Sequence, residues 1–180
     1  MAEPPTDEPI APTVGADDAP LALRPPSRRV ERRSIGWWAA QAVAVVLPPV
    51  LVLVLLAVLI TPARPWLLLS AAAVGVPGLL TVLVMPWWRY RVHRWEHTTD
   101  AVFTRAGWLR QEWRIAPLSR VQTVDTVRGP LQQLFGLSTV TITTASAAGP
   151  VRIDGLDHAV ARDLSEELTR LTQAAPGDAT

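Results

Sequence analysis

Two long stretches without a charged residue dominate the first half of the chain. The first runs from Trp37 to Ile60 and the second from Trp66 to Met85, with the short segment TPARP between them. Each stretch is apolar on every side, whereas a surface helix of a soluble protein keeps one polar face. Each also reaches the roughly 20 residues that a helix needs to cross about 30 Å of hydrocarbon. The pattern therefore predicts a hairpin of two transmembrane helices.

A soluble hairpin and a signal peptide both fit these stretches less well. A buried hairpin in a soluble protein would need two helices of bilayer length that are apolar all round, which is typical of membrane spans instead. A cleaved signal peptide has an apolar core of about 7–15 residues. The first stretch is longer and begins only at Trp37, behind a polar tail. We therefore interpret it as an uncleaved anchor.

The residues that flank the two stretches predict their orientation. Amphipathic indole rings favour the membrane–water interface, and five tryptophans lie at the ends of the stretches: Trp37, Trp38, Trp66, Trp87 and Trp88. Five arginines precede the first stretch and three follow the second: Arg24, Arg28, Arg29, Arg32, Arg33, then Arg89, Arg91 and Arg94. Only Arg64 lies in the connecting segment. Because arginine-rich flanks stay inside, we expect a multi-pass protein of the cell (inner) membrane with both termini cytoplasmic.

From Tyr90 onward the pattern changes to short alternating segments with turn residues between them. Such segments are typical of strands, and we expect about six or seven: the stretch after Tyr90, residues 101–105, 108–115, 121–127, 138–146 and 151–156. In the segment 121–127, alternation puts Val121 and Val124 on opposite faces. After Gly129-Pro130, the apolar residues Leu131, Leu134 and Phe135 have helical spacing and predict a short helix packed on the local core.

The last segment predicts an amphipathic helix that covers the sheet. Asp157 has the position of an N-cap, and Val160, Leu164, Leu168 and Leu171 recur at helical spacing. We divide the chain into four parts: a disordered tail with a juxtamembrane basic cluster (1–33), the transmembrane hairpin (34–88), a cytoplasmic domain (89–175) and a disordered end (176–180).

Composition excludes several classes of function. The net charge of +1 gives no global attraction to nucleic acid. The chain has neither cysteine nor lysine, which excludes thiolate chemistry, Schiff bases and the P-loop lysine. His93 and His97 have a spacing that suits a metal on a helix, but the segment reads as a strand and lacks a third ligand. We expect no metal, no cofactor and no catalytic residues, hence not an enzyme.

The segment Ile115–Ser146 carries the most specific pattern of the chain. It reads P-L-S-R-V-Q-T-V, then G-P-L-Q, then F-G-L and a β-branched strand, and VRIDGL and a helix bearing alanine and leucine follow. This order resembles the bacterial pleckstrin-homology-like (PH-like) family, bPH2, of YdbS-like membrane proteins, with Gln133 where the family usually has arginine. The resemblance covers roughly residues 34–172, including the two spans that precede the domain.

The resemblance implies a fold and a type of partner. The implied fold class is a transmembrane α-helical hairpin followed by an α+β PH-like split β-barrel with a C-terminal capping helix. The resemblance does not imply phosphoinositide binding. Proteins of this family are often encoded beside a larger membrane protein with further domains of this kind, so the resemblance implies a hetero-complex as one assembly.

Two sets of residues are candidates for binding. Residues near the bilayer either report the orientation of the hairpin or contact anionic headgroups: Arg28, Arg29, Arg32, Arg33, Arg89, Arg91 and Arg94. Residues around the predicted short helix are candidates for contact with a protein partner: Arg120, Arg128, Gly129, Pro130, Leu131, Gln132 and Gln133. For Arg120 and Arg128, the alternative is a surface ion pair with Asp125, which contributes little energy.

Two functions follow from these candidates. The first is an interaction module, anchored in the bilayer, that scaffolds or assembles a complex with another membrane protein or with itself at the inner face. The alternative is a module that binds or senses lipid at the inner leaflet.

Overall fold

The computed structural model describes residues 26–108, 110–145 and 149–174. The predicted disordered tail up to residue 25, with Arg24, and the predicted disordered end lie outside these ranges, as do Leu109 and residues 146–148, where the strand predicted at 138–146 ends. Helix α1 spans Arg33–Leu59 and helix α2 spans Arg64–Val92, with a single 3-10 turn, Thr61–Ala63, between them. Gly78 of α2 lies against Val46 of α1, where an added Cβ would meet a Val46 methyl at 2.3 Å. The predicted hairpin is thus confirmed as two closely packed helices.

Both helices are long and apolar enough to cross a membrane, with mean hydropathies of 3.0 and 2.3 in their most apolar windows. Only 6% of each window is buried inside the protein. The core helix of a soluble protein would be mostly buried, so this exposure disfavours the soluble alternative. Helix α2 continues to Val92, past the boundary at residue 88 between hairpin and domain, and that division of the chain stays a prediction.

Within the described residues, seven strands form two antiparallel sheets. The first sheet has the order β1-β2-β3-β4, and the second has the order β5-β6-β7. The strands are β1 (Arg28–Arg29), β2 (Arg94–His97), β3 (Ala101–Ala106), β4 (Glu112–Pro117), β5 (Val121–Val127), β6 (Leu137–Thr144) and β7 (Val151–Asp157); helix α3 is Pro130–Phe135 and helix α4 is His158–Ala174. Both predicted helices are confirmed and each predicted strand is present, although the strand expected at residues 108–115 begins only at Glu112. In the described residues neither sheet closes on itself, so the fold is two sheets with a C-terminal helix.

Strand β1 was not predicted, and it changes the relation between hairpin and domain. Arg28 and Arg29 precede α1, yet they pair with Trp95 and Arg94 of β2, which follows α2. The segment before the hairpin therefore completes a sheet with the segment after it. As a result, both ends of the hairpin lie on the same side of it.

Two of the predicted tryptophan anchors belong to the core of the domain instead. Trp37 and Trp38 are buried among Trp95, Leu137 and Ile153, because the first turns of α1 stand inside the domain. Their rings therefore pack inside the domain and do not face lipid. The exposed rings of Trp66, Trp87 and Trp88 fit the expected place at the membrane–water interface.

Three predicted core positions also differ from the structure. The register of β5 shifts between Val121 and Thr123; this bulge turns both Val121 and Val124 toward the core, although strict alternation separates them. In α4, Leu164, Leu168 and Leu171 pack on the core as predicted, but Val160 is exposed and Ala161 is buried in its place. Leu134 is 81% exposed, so its predicted place in the local core is wrong, whereas Leu131 and Phe135 pack as expected.

Candidate functional site

The domain is joined to α1 by polar contacts at the first turn of the helix. Arg33 forms an ion pair with Asp157, at the end of β7. The Ser34 hydroxyl donates a hydrogen bond of 2.9 Å to the carbonyl of Gly155. Gly155 has a φ of +77°, and an added Cβ would lie 2.3 Å from Ser34 Oγ, so only glycine fits there. Arg33 therefore ties the helix to the domain as well as marking the orientation of the hairpin.

Helix α2 is joined to the domain by a longer polar chain. Arg89 Nη2 donates to Asp154 Oδ2 at 2.9 Å, and its guanidinium lies 4.6 Å from the ring centre of Trp38. Thr139 Oγ1 donates to the other oxygen of Asp154 at 3.1 Å, and Gln132 Nε2 donates to Thr139 at 2.8 Å. These hydrogen bonds connect α2, strands β7 and β6, and α3, so Arg89 is engaged inside the protein.

His93 lies at the junction of α2 and β2 and is buried. Neither ring nitrogen has a hydrogen-bond partner, and the ring centre lies 5.9 Å from that of Trp38. Burial lowers the pKa of His93 to about 4, because the charged imidazolium loses its hydration; Asp154 opposes this effect and Arg89 adds to it. His97 is in β2, and its Nε2 lies 3.9 Å from Glu167. The two histidines thus do not share a helical face.

Three arginines that are distant in sequence form one row across the first sheet. Arg29 lies opposite Arg94, and Arg94 lies opposite Arg105. Residues directly opposite on antiparallel strands share a face and lie about 4.5–5.5 Å apart at Cβ. Among the described residues, none of the three pairs with a carboxylate. We call these residues the arginine row.

The arginine row lies at the end of the sheet nearest the hairpin. Strand β2 begins at Arg94, two residues after α2 ends at Val92. Trp113 of β4 extends the row, and the Arg105 guanidinium lies 5.0 Å from its ring centre. Arg105 Nη2 also donates to Gln111 at 2.7 Å, which fixes the side chain near the β3–β4 turn. The site therefore combines clustered positive charge with a half-exposed indole ring.

The candidates for headgroup contact fall into two groups. Arg33 and Arg89 are held by Asp157 and Asp154. Arg28, Arg29, Arg32 and Arg91 have exposed side chains, and Arg94 is half-buried. Arg28 lies over the Trp95 ring at 5.4 Å. Sequence reasoning missed Arg105, because only the register of β2 and β3 brings it beside Arg94.

The candidates for partner contact are not all available at the surface. Arg120, Pro130 and Gln133 are exposed, while Gly129 and Leu131 are partly buried. Arg128 donates from Nε to the Leu137 carbonyl at 3.2 Å, and within the described residues it forms no ion pair with Asp125. Gln132 is 5% exposed, and its Oε1 accepts the Gly129 N–H. The expectation of exposure is wrong for Gln132, which is a structural residue.

One pairing of a serine with a histidine was not anticipated. Ser138 Oγ lies 3.1 Å from His158 Nδ1. Ser138 is fully buried, so a substrate has no access to its hydroxyl. The neighbouring Asp157 accepts from the Ala159 N–H at 2.9 Å and binds Arg33, and neither contact orients the imidazole as a catalytic triad requires. The pair therefore joins the start of α4 to β6 as a structural contact.

A groove of about 330 Å³ separates α1 from α3. It is lined by Trp37 and Gln41 of α1 and by Gly129, Pro130, Leu131 and Gln132 around the start of α3. At the other end of α3, Phe135 lies against Gly36, and its carbonyl accepts a hydrogen bond of 3.3 Å from Arg33 Nη1. Helix α3 thus runs beside the first turns of α1.

Comparison with known proteins extends across hairpin and domain. Residues 40–172 match the model of the bacterial PH domain family. The chain is 32% identical over 114 residues to the UPF0699 transmembrane protein YdbS of Bacillus subtilis (strain 168), covering 63% of this chain and 70% of that protein. No solved structure matches the chain. The family match begins within α1 and ends within α4, so the hairpin and the domain belong to one similar unit.

Proposed function

The chain belongs to the bacterial PH domain family, and from that premise we propose that its domain binds anionic lipid headgroups at the cytoplasmic leaflet. The chain is a membrane protein, similar to a transmembrane relative and with two apolar helices of spanning length. The hairpin anchors the domain in the inner membrane with both termini in the cytoplasm. The excess of arginine on the outer flanks of the hairpin supports this orientation.

The arginine row is the observation that carries the proposal. Like charges directly opposite one another across strands are destabilising, and the described residues supply no carboxylate to offset this repulsion. Phosphate oxygens supply the missing negative charge, and guanidinium groups bind phosphate in a bidentate manner. Each basic residue near an anionic membrane surface contributes about 1 kcal/mol. Trp113 at the end of the row fits an interfacial position, where indole rings are favoured.

The test compares two variants of the full chain with the same charge. One replaces the arginine row: Arg29→Gln, Arg94→Gln and Arg105→Gln. The control replaces three exposed arginines on other surfaces: Arg120→Gln, Arg162→Gln and Arg170→Gln. Native mass spectrometry measures how many phosphatidylglycerol and phosphatidylcholine molecules each protein retains in detergent.

We expect the row variant to bind phosphatidylglycerol about 100-fold more weakly, since three contacts of about 1 kcal/mol are lost. The control variant should keep the wild-type affinity, and raised salt should weaken wild-type binding. Thermal melting confirms that each variant is folded. Equal affinities of the two variants for phosphatidylglycerol would overturn the proposal.

A second candidate function is the assembly of a membrane protein complex, and the edge strand β4 favours it. β4 is the last strand of its sheet, and it exposes nearly half of Trp113 and Ile115. An exposed edge with apolar side chains is suited to pairing with a strand of a partner or of a second copy. Confinement of both proteins to one membrane raises their effective concentration. Arg120 and Gln133 remain exposed candidates for the same contact.

Blue native electrophoresis of mildly solubilised membranes distinguishes this second function. A complex that contains a partner should migrate above the mass of the single chain. Replacement of Ile115 by proline should disrupt the complex if β4 pairs with the partner, because proline cannot donate to the ladder. Replacement of exposed Gln173 by alanine is the control. A wild-type chain that migrates as a monomer would remove this candidate.

A further inference from the structure

We propose that helix α3 is a third membrane contact, whose apolar face of Pro130, Leu131 and Leu134 lies in the same leaflet as the exposed tryptophans of α2. We call these three residues the α3 face. The inference rests on the depth of α3 beside the hairpin and on the exposure of Leu134. It does not depend on headgroup charge, so it is independent of the proposed function.

The packing of the two spans sets the depth of α3. Gly78 lies against Val46, and Gly75 lies against Val50, which fixes the antiparallel register of α1 and α2. Ten residues on from Gly78 is Trp88, and ten residues back from Val46 is Gly36. Both helices rise about 1.5 Å per residue, so Gly36 and Trp88 lie at about the same level. Trp88 is exposed and marks the membrane–water interface.

The depth of both ends of α3 follows from this register of α1 and α2. Its last residue, Phe135, contacts Gly36, level with Trp88. Its first residues border Gln41 in the groove beside α1. By the same register, Gln41 lies level with Leu83 and Val84, which are exposed on the apolar surface of α2. The start of α3 therefore lies deeper than the tryptophan level, on the hydrocarbon side of it.

The exposure of the α3 face matches that depth. Leu134 is 81% exposed, more than lipid-facing Val45 at 73%. Leu134 follows Leu131 by three residues and Pro130 by four, so the three share one helical face. An aqueous position would leave this leucine in water without a packing partner. A bilayer position at the tryptophan level gives it the same surroundings as the exposed ring of Trp88.

The occupant we assign to the α3 face is lipid, because this surface is continuous with the lipid-facing surface of α1. Val43 is exposed two residues after Gln41, with no protein element between them and the bilayer in the described residues. The helix is also held rigidly at that depth by the Gln132 contact to Thr139 and the Arg33 contact to Phe135. An immobile apolar face at interfacial depth is suited to insertion among headgroups and acyl chains.

The chain has no cysteine, so single labels can be introduced without background. A nitroxide is attached to Leu134→Cys in the full-length protein, reconstituted at one copy per nanodisc in phosphatidylcholine. Trp88→Cys is the lipid-exposed reference at the level of the end of α3, and Arg170→Cys is the aqueous reference on exposed α4. Power saturation measures collision with oxygen, which concentrates in lipid, and with a water-soluble nickel chelate.

We expect the label at position 134 to resemble that at position 88, with oxygen collisions exceeding nickel collisions. A label at position 134 that resembles position 170 would overturn the inference. So would a label shielded from both reagents, because a disc with one copy has no second protein to cover it. A shield that appears only in discs with two copies would assign the α3 face to self-association instead of lipid. Because phosphatidylcholine carries no net charge, failure of the headgroup proposal would leave this result unchanged.

Discussion

The uncharged run that begins at Trp37 lies in two entirely different surroundings along helix α1. The domain half, residues 33–42, buries Trp37 and Trp38 among strands of the domain. The lipid half, residues 43–59, leaves most of its valines and leucines exposed, with Val45 at 73%. Hydropathy measures only the preference to leave water, and a protein core and a bilayer both satisfy it. The difference shows that the span and the domain share one helix, so that the hairpin is part of the fold it anchors.

The largest effect should come from truncating a tryptophan in each setting. Trp38→Ala removes a fully buried ring from the core, and we expect the domain to lose about 3–5 kcal/mol of unfolding free energy. Trp66→Ala, at a ring that is 72% exposed near the hairpin turn, should change it by less than about 0.5 kcal/mol. Thermal unfolding in nanodiscs measures both. Similar losses would mean that the two halves do not differ as described.

A fragment that starts at residue 89 probes the same difference between the two halves of α1. The division of the chain by sequence assigns the whole domain to such a fragment, but it lacks Val30, Trp37 and Trp38, which belong to the core. It should therefore fail to melt cooperatively, although its strand sequences are intact. Circular dichroism and near-ultraviolet melting test this. A cooperative transition at the temperature of the full chain would show that the domain half of α1 is dispensable.

The free energy of unfolding should also depend on pH through His93, where α2 enters the domain. The expected change is similar in size to the loss from Trp38→Ala. The pKa of His93 is lowered from 6.5 to about 4 by burial. Below pH 6.5 the unfolded chain takes up a proton that the folded chain refuses, so stability falls until about pH 4 and then levels off. The loss across this range is about 3 kcal/mol.

Replacing His93 by phenylalanine should remove this part of the pH dependence. Both ring nitrogens lack partners, so the replacement sacrifices no hydrogen bond. Melting temperatures at pH 7.5 and pH 5 provide the measurement, with Gln173→Ala, at an exposed residue, as the control. If the melting temperature of His93→Phe differs between pH 7.5 and pH 5 by as much as that of the wild type, the burial of a neutral histidine is contradicted.

A smaller loss of stability should distinguish the contact between α1 and the domain, where Gly155 lies against Ser34, from an ordinary turn. Gly155 and Gly149 both have positive φ, at +77° and +80°, so alanine is strained equally at each. At Gly155 the new methyl also meets Ser34 Oγ at 2.3 Å, whereas at Gly149 the nearest atom is 3.8 Å away. We expect Gly155→Ala to cost about 1–3 kcal/mol more than Gly149→Ala. Equal melting temperatures of the two variants would mean that the contact between α1 and the domain is loosely packed.

The smallest effect concerns the start of α4. Asp157 accepts the Ala159 N–H, which with the neighbouring Arg33 lowers its pKa, and Asp157→Ala should cost about 1 kcal/mol. Because the folded pKa is the lower one, this contribution is present near neutral pH and fades as the carboxylate is protonated in acid. Exposed Asp163→Ala is the control on the same helix. A melting temperature of Asp157→Ala equal to that of the control would exclude a capping role.

The sequence predicts elements with a long or regular pattern and misses contacts that depend on register. The two uncharged runs, the strand at 121–127 and the helix begun by Asp157 all follow from local chemistry. Arg28 and Arg29 carry no strand pattern, so β1 exists only through its pairing with β2. The bulge near Gln122 breaks an alternation that the residues themselves keep.

The sequence predicts only part of the candidate site, because strand register also determines which arginines come together there. Arg29 and Arg94 stand out because they flank the spans, but Arg105 is separated from them by a full strand and joins them through sheet register alone. Arg33 and Arg89 have the same local signal as Arg32 and Arg91, and only the partners Asp157 and Asp154 distinguish them. The positions of the arginines in the sequence predict which end of the domain lies near the membrane. Only the tertiary contacts show which of these arginines pair with a carboxylate.

The pairing of β1 with β2 has a consequence for biogenesis. The ribosome makes Arg28 and Arg29 before either span, yet their partners in β2 emerge only after both spans have been synthesised. In the proposed orientation, the sheet and the core around Trp38 cannot be completed until both helices have been inserted and the chain has returned to its starting side. Folding of the domain then depends on insertion of both spans. A hairpin that inserts only once leaves an open strand edge and an unfilled core.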